Sequence, residues 1–147
     1  MNIFSLNPTH SQEICSILAE CFPENTAFYL ELQEDLVNRF NCPIPHVFLG
    51  VRHQTGRLIG YVEVFYLDDC GFVCNLCVVQ QCRGIGVGSS LLDFCLGLCR
   101  DAGMNSLFLT ANPGNDAAIS LYNKRGFQQV SEIAPTSPNQ LLYAKSL

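Results

Sequence analysis

Residues 83–92, RGIGVGSSLL, constrain the fold more than any other stretch of this chain. Gly84, Gly86 and Gly88 alternate with other residues. The apolar run GFVCNLCVVQ before them reads as a strand. After them Leu91, Leu92, Cys95, Leu98 and Cys99 recur at helical spacing. The loop therefore joins a strand to a helix. Glycines at this density let the backbone reach positive φ and let a ligand approach the amides with no Cβ in the way. A helix starting at the loop directs unpaired N–H groups and the positive end of its dipole into it. Together these make an anion site, most often one for phosphate.

Spacing separates the known phosphate loops. A Walker loop needs Lys and then Ser or Thr after its last glycine, whereas Ser89 and Ser90 follow Gly88. A dinucleotide fingerprint needs G-x-G-x-x-G inside a βαβ unit, with an acid at the end of the next strand. Here the spacing is G-x-G-x-G, the preceding strands form a meander, and the next strand ends near Thr110. An ordinary tight turn before a helix remains open on these grounds alone.

The 147 residues suit one domain. NIFSLN is a short strand. PTHSQEICSILAEC is a helix, with Thr9 and Gln12 as a capping box. TAFYLELQEDLVNRF is a second helix, ended by the Pro43 and Pro45 region. PHVFLGVR, RLIGYVEVFYL and GFVCNLCVV form an antiparallel meander with turn chemistry between them. Gly103 stops the helix after the glycine loop. SLFLTA is a strand, NDAAISLYNKR a helix stopped by Gly126, and FQQVSEI and QLLYAKSL are the last strands. The order β-αα-βββ-α-β-α-ββ is a mixed α/β layer.

A net charge of -5 argues against nucleic acid as the main partner. No apolar run approaches the roughly 20 residues of a membrane span. The start of the chain lacks the pattern of a signal peptide, so a cytoplasmic location and no membrane partner are expected. The nine cysteines fit reduced thiols used as small hydrophobes. Cys74 and Cys77 form C-x-x-C. On a regular strand, residues three apart point to opposite faces and cannot share one metal. Cys70 and Cys74 would share a face, but about 13 Å apart. No metal is expected.

The wider pattern resembles the GNAT superfamily of acetyltransferases. Its pyrophosphate signature, [RQ]-x-x-G-x-[GA], is filled by Arg83, Gly86 and Gly88 within R-G-x-G-x-G-x-x-L-L. The preceding strand ends NLCVVQQC, where Leu76 and Val78 match the family's L-x-V-x-P and Gln80 replaces its proline. Downstream, NDAAISLYNKRGF (residues 115–127) resembles N-x-x-A-x-x-L-Y-x-x-x-G-F. The resemblance spans essentially the whole chain and weakens over the first forty-five residues. It implies an α+β fold: a mixed, mostly antiparallel sheet of about seven strands, flanked by four helices, in one domain over residues 1–147.

The same resemblance implies acetyl transfer from acetyl-CoA, the co-substrate, to a primary amine: a protein N-terminus, a lysine, a polyamine or another small-molecule amine. The amides of Arg83, Gly84, Ile85, Gly86, Val87, Gly88 and Ser89 would hold the pyrophosphate. Arg83 would act through its backbone, its side chain either adding charge or standing exposed. Leu76, Cys77 and Val78 would pair with the pantetheine arm where the fourth and fifth strands splay at a bulge, the Cys77 or Val78 amide polarising the thioester carbonyl. Tyr122 matches the family's general acid, and its alternative is packing against Leu121 and Phe127. Asn115 would bind the CoA arm or cap its helix; Lys124 would touch phosphate or be solvated. The general base is not legible, because Thr110 and Asn75 stand where relatives carry Glu or Asp. Glu63 is the best remaining carboxylate, as a base, as the end of a water chain, or as a residue on a solvent face. With neither usual base in place, a non-catalytic acyl-CoA-binding or regulatory module is the alternative function. Monomer and homodimer are both compatible with the sequence.

Overall fold

A computed structural model describes residues 1–25, 33–131 and 140–147. Among these residues the strands are β1 (Ile3–Ser5), β2 (His46–Arg52), β3 (Leu58–Leu67), β4 (Cys70–Val78), β5 (Ser106–Ala111), β6 (Gln128–Ser131) and β7 (Leu141–Ser146). The α-helices are α1 (Ser11–Cys21), α2 (Gln33–Phe40), α3 (Val87–Asp101) and α4 (Asp116–Lys124). The predicted order of elements is the observed one. The first half of the second predicted helix, and the stretch between β6 and β7, lie outside the described residues.

The seven strands form one sheet in the order β1-β2-β3-β4-β5-β7-β6. Every pairing is antiparallel except β4 with β5. That exception follows from the chain path: α3 carries the chain back along the sheet, as a parallel connection requires. α3 covers one face. A Cβ on Gly60 would stand 2.8 Å from Val87 and 3.1 Å from Leu91. On the other face Arg39 of α2 reaches Glu63 of β3. The core lies between these layers: Ile14, Ile17 and Leu18 of α1, Val62 and Val64 of β3, and Leu91, Leu92, Cys95 and Cys99 of α3 are buried. Leu96 is buried too, while Leu98, predicted on the same stripe, is half-buried.

The first helix starts differently from the sequence expectation. Pro8 opens a 3-10 turn (Pro8–His10), and Asn7 rather than Thr9 is its cap. The Asn7 side chain accepts the Thr9 N–H at 2.9 Å, and His10 Nδ1 accepts the Asn7 N–H at 3.0 Å. Proline suits the first helical position, so the cap falls on the residue before it. α1 continues from this turn with no side-chain cap of its own.

Gly71 is a close-approach site. A Cβ there would lie 2.5 Å from Cys99 Sγ and 2.9 Å from Leu107 Cδ1, both buried side chains. Gly71→Ala is expected to destabilise the fold by about 1–3 kcal/mol, the usual cost of overpacking. Thermal unfolding should register it at about 2–4 °C per kcal/mol. An unchanged Tm would mean that α3 does not lie this close to β4.

Candidate active site

β4 and β5 run together only at their starts. Cys70 pairs with Ser106, Gly71 with Leu107, Phe72 with Phe108 and Val73 with Leu109, and the ladder ends there. Beyond it Thr110 and Ala111 of β5 pair with Leu142 and Leu141 of β7, and on β4 Cys74, Cys77 and Val78 pair with β3 alone. The two strands therefore part, and the β5-facing edge of β4 keeps backbone groups with no ladder partner.

A bulge accompanies the parting. Tyr61 stands opposite Cys77 but Glu63 opposite Cys74, so β4 carries one residue more than β3 over this span. Asn75, inside the bulge, has φ 54°. The extra residue overturns the face assignment made for the C-x-x-C pair. Tyr61 and Glu63 share a face, and Cys77 and Cys74, their register partners, share it too. Both thiols feel the Glu63 charge, and Cys74 is pushed up to about 12, chiefly by burial. Among the described residues no group of three or more His, Cys, Asp or Glu could hold a metal ion.

The glycine loop lies at the open end of β4. Gly84 and Gly86 have φ 80° and 93°, and a Cβ at either would meet nothing within 4 Å. Gly86 caps α3 with no side-chain bond, and the first helical bond runs from the Ser90 N–H to the Gly86 carbonyl at 3.0 Å. The amides of Val87, Gly88 and Ser89 precede that bond, so none has an intrahelical acceptor. Gly88 sits where a Cβ would be 3.6 Å from Val78 and 3.8 Å from Leu121, which brings α3, β4 and α4 together. Arg83 is exposed, and its Nε donates to the Val78 carbonyl at 2.8 Å. Loop and strand edge thus form one continuous surface: a cradle for an anion, followed by an unpaired strand edge that suits an extended amide-bearing chain.

Tyr122 reaches the parting from α4. It is 5% exposed, its ring centroid 6.0 Å from that of Phe127 and 5.8 Å from that of Tyr143. Its Oη donates weakly to the Thr110 carbonyl at 3.4 Å. Burial, and then Tyr143, push the phenol up to about 12. The residue both packs and brings a hydroxyl to the edge of β5. Asn115 caps α4, its Oδ1 accepting the Ala118 N–H at 3.2 Å.

Glu63 is 0% exposed, which removes the solvent-face reading. Arg39 of α2 pairs with Oε1, while Tyr61 Oη and Asn75 Nδ2 donate to Oε2 at 2.6 and 3.2 Å. Burial raises its pKa, against the lowering pull of Arg39, Tyr61 and Asn75. Sequence reasoning missed Arg39, Tyr61 and Asn75 as one cluster. A trace was there: Asn75 interrupts an apolar strand with a residue type that tolerates positive φ. On the same face, over the paired start of β4 and β5, lies a cavity of about 440 Å³ lined by Leu67, Phe72 and Phe108, among others, which reaches the parting at Cys74 and Leu142.

The model of the acetyltransferase (GNAT) family matches residues 11–127. The chain belongs to the GNAT family. A Bacillus subtilis (strain 168) protein with the provisional name ribosomal protein bS18-alanine N-acetyltransferase is 28% identical over 102 residues. That match covers 69% of this chain and 62% of the relative. Matches to two further N-acetyltransferase relatives span 29% and 21% of their lengths, so the chain covers less than two-thirds of these proteins. An N-alpha-acetyltransferase from Sulfurisphaera tokodaii is 23% identical over 135 residues, 83% of this chain and 77% of that one. The crystal structure of PaiA N-acetyltransferase from Thermoplasma acidophilum, in complex with coenzyme A, matches with a TM-score of 0.80. It is 18% identical and the match covers 100% of each chain, which establishes the fold.

Proposed function

We propose that this GNAT chain transfers the acetyl group of acetyl-CoA to a primary amine. The observation that carries the reading is the parting of β4 from β5 after Val73 and Leu109, with an uncapped helix start at one end and Tyr122 Oη beside it. The pyrophosphate binds the amides of residues 83–89 and the start of α3. The pantetheine arm pairs with residues 76–78 as an added strand, and the Cys77 or Val78 amide donates to the thioester carbonyl. The neutral amine attacks the carbonyl carbon and the C–S bond breaks. The amine's surplus proton passes to water, the departing sulfur takes the hydrogen of Tyr122 Oη, and the phenolate is reprotonated through that water. Tyr122 is thus the general acid.

In this reading the acceptor approaches on the face opposite α3, where the apolar cavity of about 440 Å³ borders the parting. An apolar wall favours an amine that carries an apolar group over a polyamine, whose charges would lose their water there. The names of the Bacillus and Sulfurisphaera relatives put protein N-terminal amines first among the acceptors to try. Incubating the protein with labelled acetyl-CoA and a panel of N-terminal peptides, lysine peptides, polyamines and small amines tests the reading by mass spectrometry. Transfer to an apolar-headed α-amine ahead of spermidine is the expected result. Binding of acetyl-CoA with transfer to no acceptor would favour the non-catalytic module. The absence of a carboxylate at residues 75 and 110 is the feature behind that alternative.

A further inference from the structure

Among the described residues Asn75 alone, apart from glycines, has positive φ. Left-handed backbone is strained for a residue with a Cβ, least so for Asn, and it persists where the surroundings over-determine it. Here the surroundings are a buried carboxylate. Asn75 Nδ2 donates to Glu63 Oε2, the oxygen that also receives the Tyr61 hydroxyl, and Arg39 holds Oε1. Glu63 is the only buried carboxylate among the described residues. Burying it is costly, and it gathers donors from α2, β3 and β4 around a single point of the sheet. That point is the bulge, where Asn75 stands two residues past Val73, the last residue of β4 paired with β5.

We propose that Asn75 and Glu63 are positioning residues for acetyl transfer: the carboxylate clamps the Asn75 side chain and so holds the bulge that aims the backbone of residues 76–78 at the thioester. The inference rests on the reading above, in which that strand edge binds acetyl-CoA. It gives Glu63 an anchoring role in place of proton acceptance. Both carboxylate oxygens already accept hydrogen bonds, and the side chain has no exposed surface to offer an amine.

Two substitutions test it. Asn75→Gly keeps the backbone conformation accessible and removes the donor. Glu63→Gln keeps volume and an acceptor oxygen and removes the charge. In Asn75→Gly the amides of residues 75–78 should exchange with deuterium roughly tenfold faster or more, with α3 unchanged. The single-turnover rate at saturating acetyl-CoA should fall by about tenfold to 10²-fold, the scale of a small misplacement of reacting groups. The Kd for CoA, governed by the glycine loop, should move by less than about threefold. Glu63→Gln should be slower while keeping the acid limb of the pH–rate profile. Exchange at residues 75–78 in Glu63→Gln, which weakens the clamp from its other end, gives the comparison again should Asn75→Gly fail to fold. Unmodified-protein exchange and rates in Asn75→Gly would overturn the proposal. So would a Glu63→Gln variant whose acid limb is gone, since Glu63 would then be taking the proton. If acetyl-CoA fails to protect the amides of residues 76–78 in the unmodified protein, the strand-edge reading itself falls. Protection there, with an Asn75→Gly variant that behaves normally, sinks only the clamp.

Discussion

Gly86→Glu is expected to abolish acetyl-CoA binding while the protein stays folded. Space is not the obstacle, since a Cβ on Gly86 would meet nothing within 4 Å. Charge is. The new carboxylate would sit at the uncapped start of α3, where its own attraction to the helix end fills the anion site. Each pair of like unit charges about 4 Å apart costs about 4 kcal/mol at an effective dielectric near 20, about a thousandfold in affinity. The backbone adds strain, because φ 93° disfavours a side chain by roughly 1–2 kcal/mol. Two controls separate the terms. Gly86→Ala carries the strain without the charge and should bind weakly but measurably. Gly56→Glu has a similar φ, 90°, also with nothing within 4 Å, and lies in the turn between β2 and β3; it should bind normally. The measurement is the Tm shift with acetyl-CoA. At a hundredfold excess over Kd, binding adds about 2.7 kcal/mol, about 5–10 °C for a chain of this length. That shift should vanish in Gly86→Glu and persist in Gly56→Glu. A persisting shift in Gly86→Glu would remove the glycine loop from the binding site.

Local patterns carried most of the fold into the sequence. The glycines of the loop, the apolar spacing on α3 and the turn residues of the meander each act over a few positions, and the elements they mark fell where expected, with Leu96 rather than Leu98 buried on the α3 stripe. The cluster around Glu63 was hidden because it depends on register. A regular strand alternates its faces, so C-x-x-C reads as two opposed thiols and Glu63 as a residue on an alternating face. One extra residue at the bulge re-sorts them: Cys74 and Cys77 share a face, and Glu63 lies under α2 with Arg39. Neither the position of the bulge nor the packing of α2 has a periodic signature. The cap at Asn7 was missed for a related reason. Thr9 and Gln12 have the right spacing, but Pro8 starts the turn one residue too early for them. Tyr122 was legible through the motif alone, since its burial against Phe127 and Tyr143 is equally the signature of a core tyrosine.

Tyr122→Phe separates those two roles. The substitution keeps the ring, and with it the contacts to Phe127 and Tyr143. It removes one long hydrogen bond, Oη to the Thr110 carbonyl at 3.4 Å, so the stability cost should stay below about 1 kcal/mol. If the hydroxyl serves the departing sulfur, the single-turnover rate should fall by roughly 10²-fold or more. The Kd for acetyl-CoA should change far less, because the hydrogen is needed mainly in the transition state. The phenol's position near 12 adds a second signature. It is neutral, and able to donate, at every pH below about 11, so Tyr122 puts no basic limb on the rate profile in the usual assay range. The same value bears on the proton's path. The burial that raises the phenol also disfavours the phenolate that complete transfer would leave behind. The hydrogen bond therefore does most of its stabilising while the C–S bond is breaking. Transfer is completed only if the proton shed by the amine nitrogen returns to the phenolate through water. That return predicts a solvent isotope effect on the single-turnover rate, present in the unmodified protein and reduced in Tyr122→Phe. A Phe variant with an unchanged single-turnover rate would leave Tyr122 as a packing residue and remove it from the reaction.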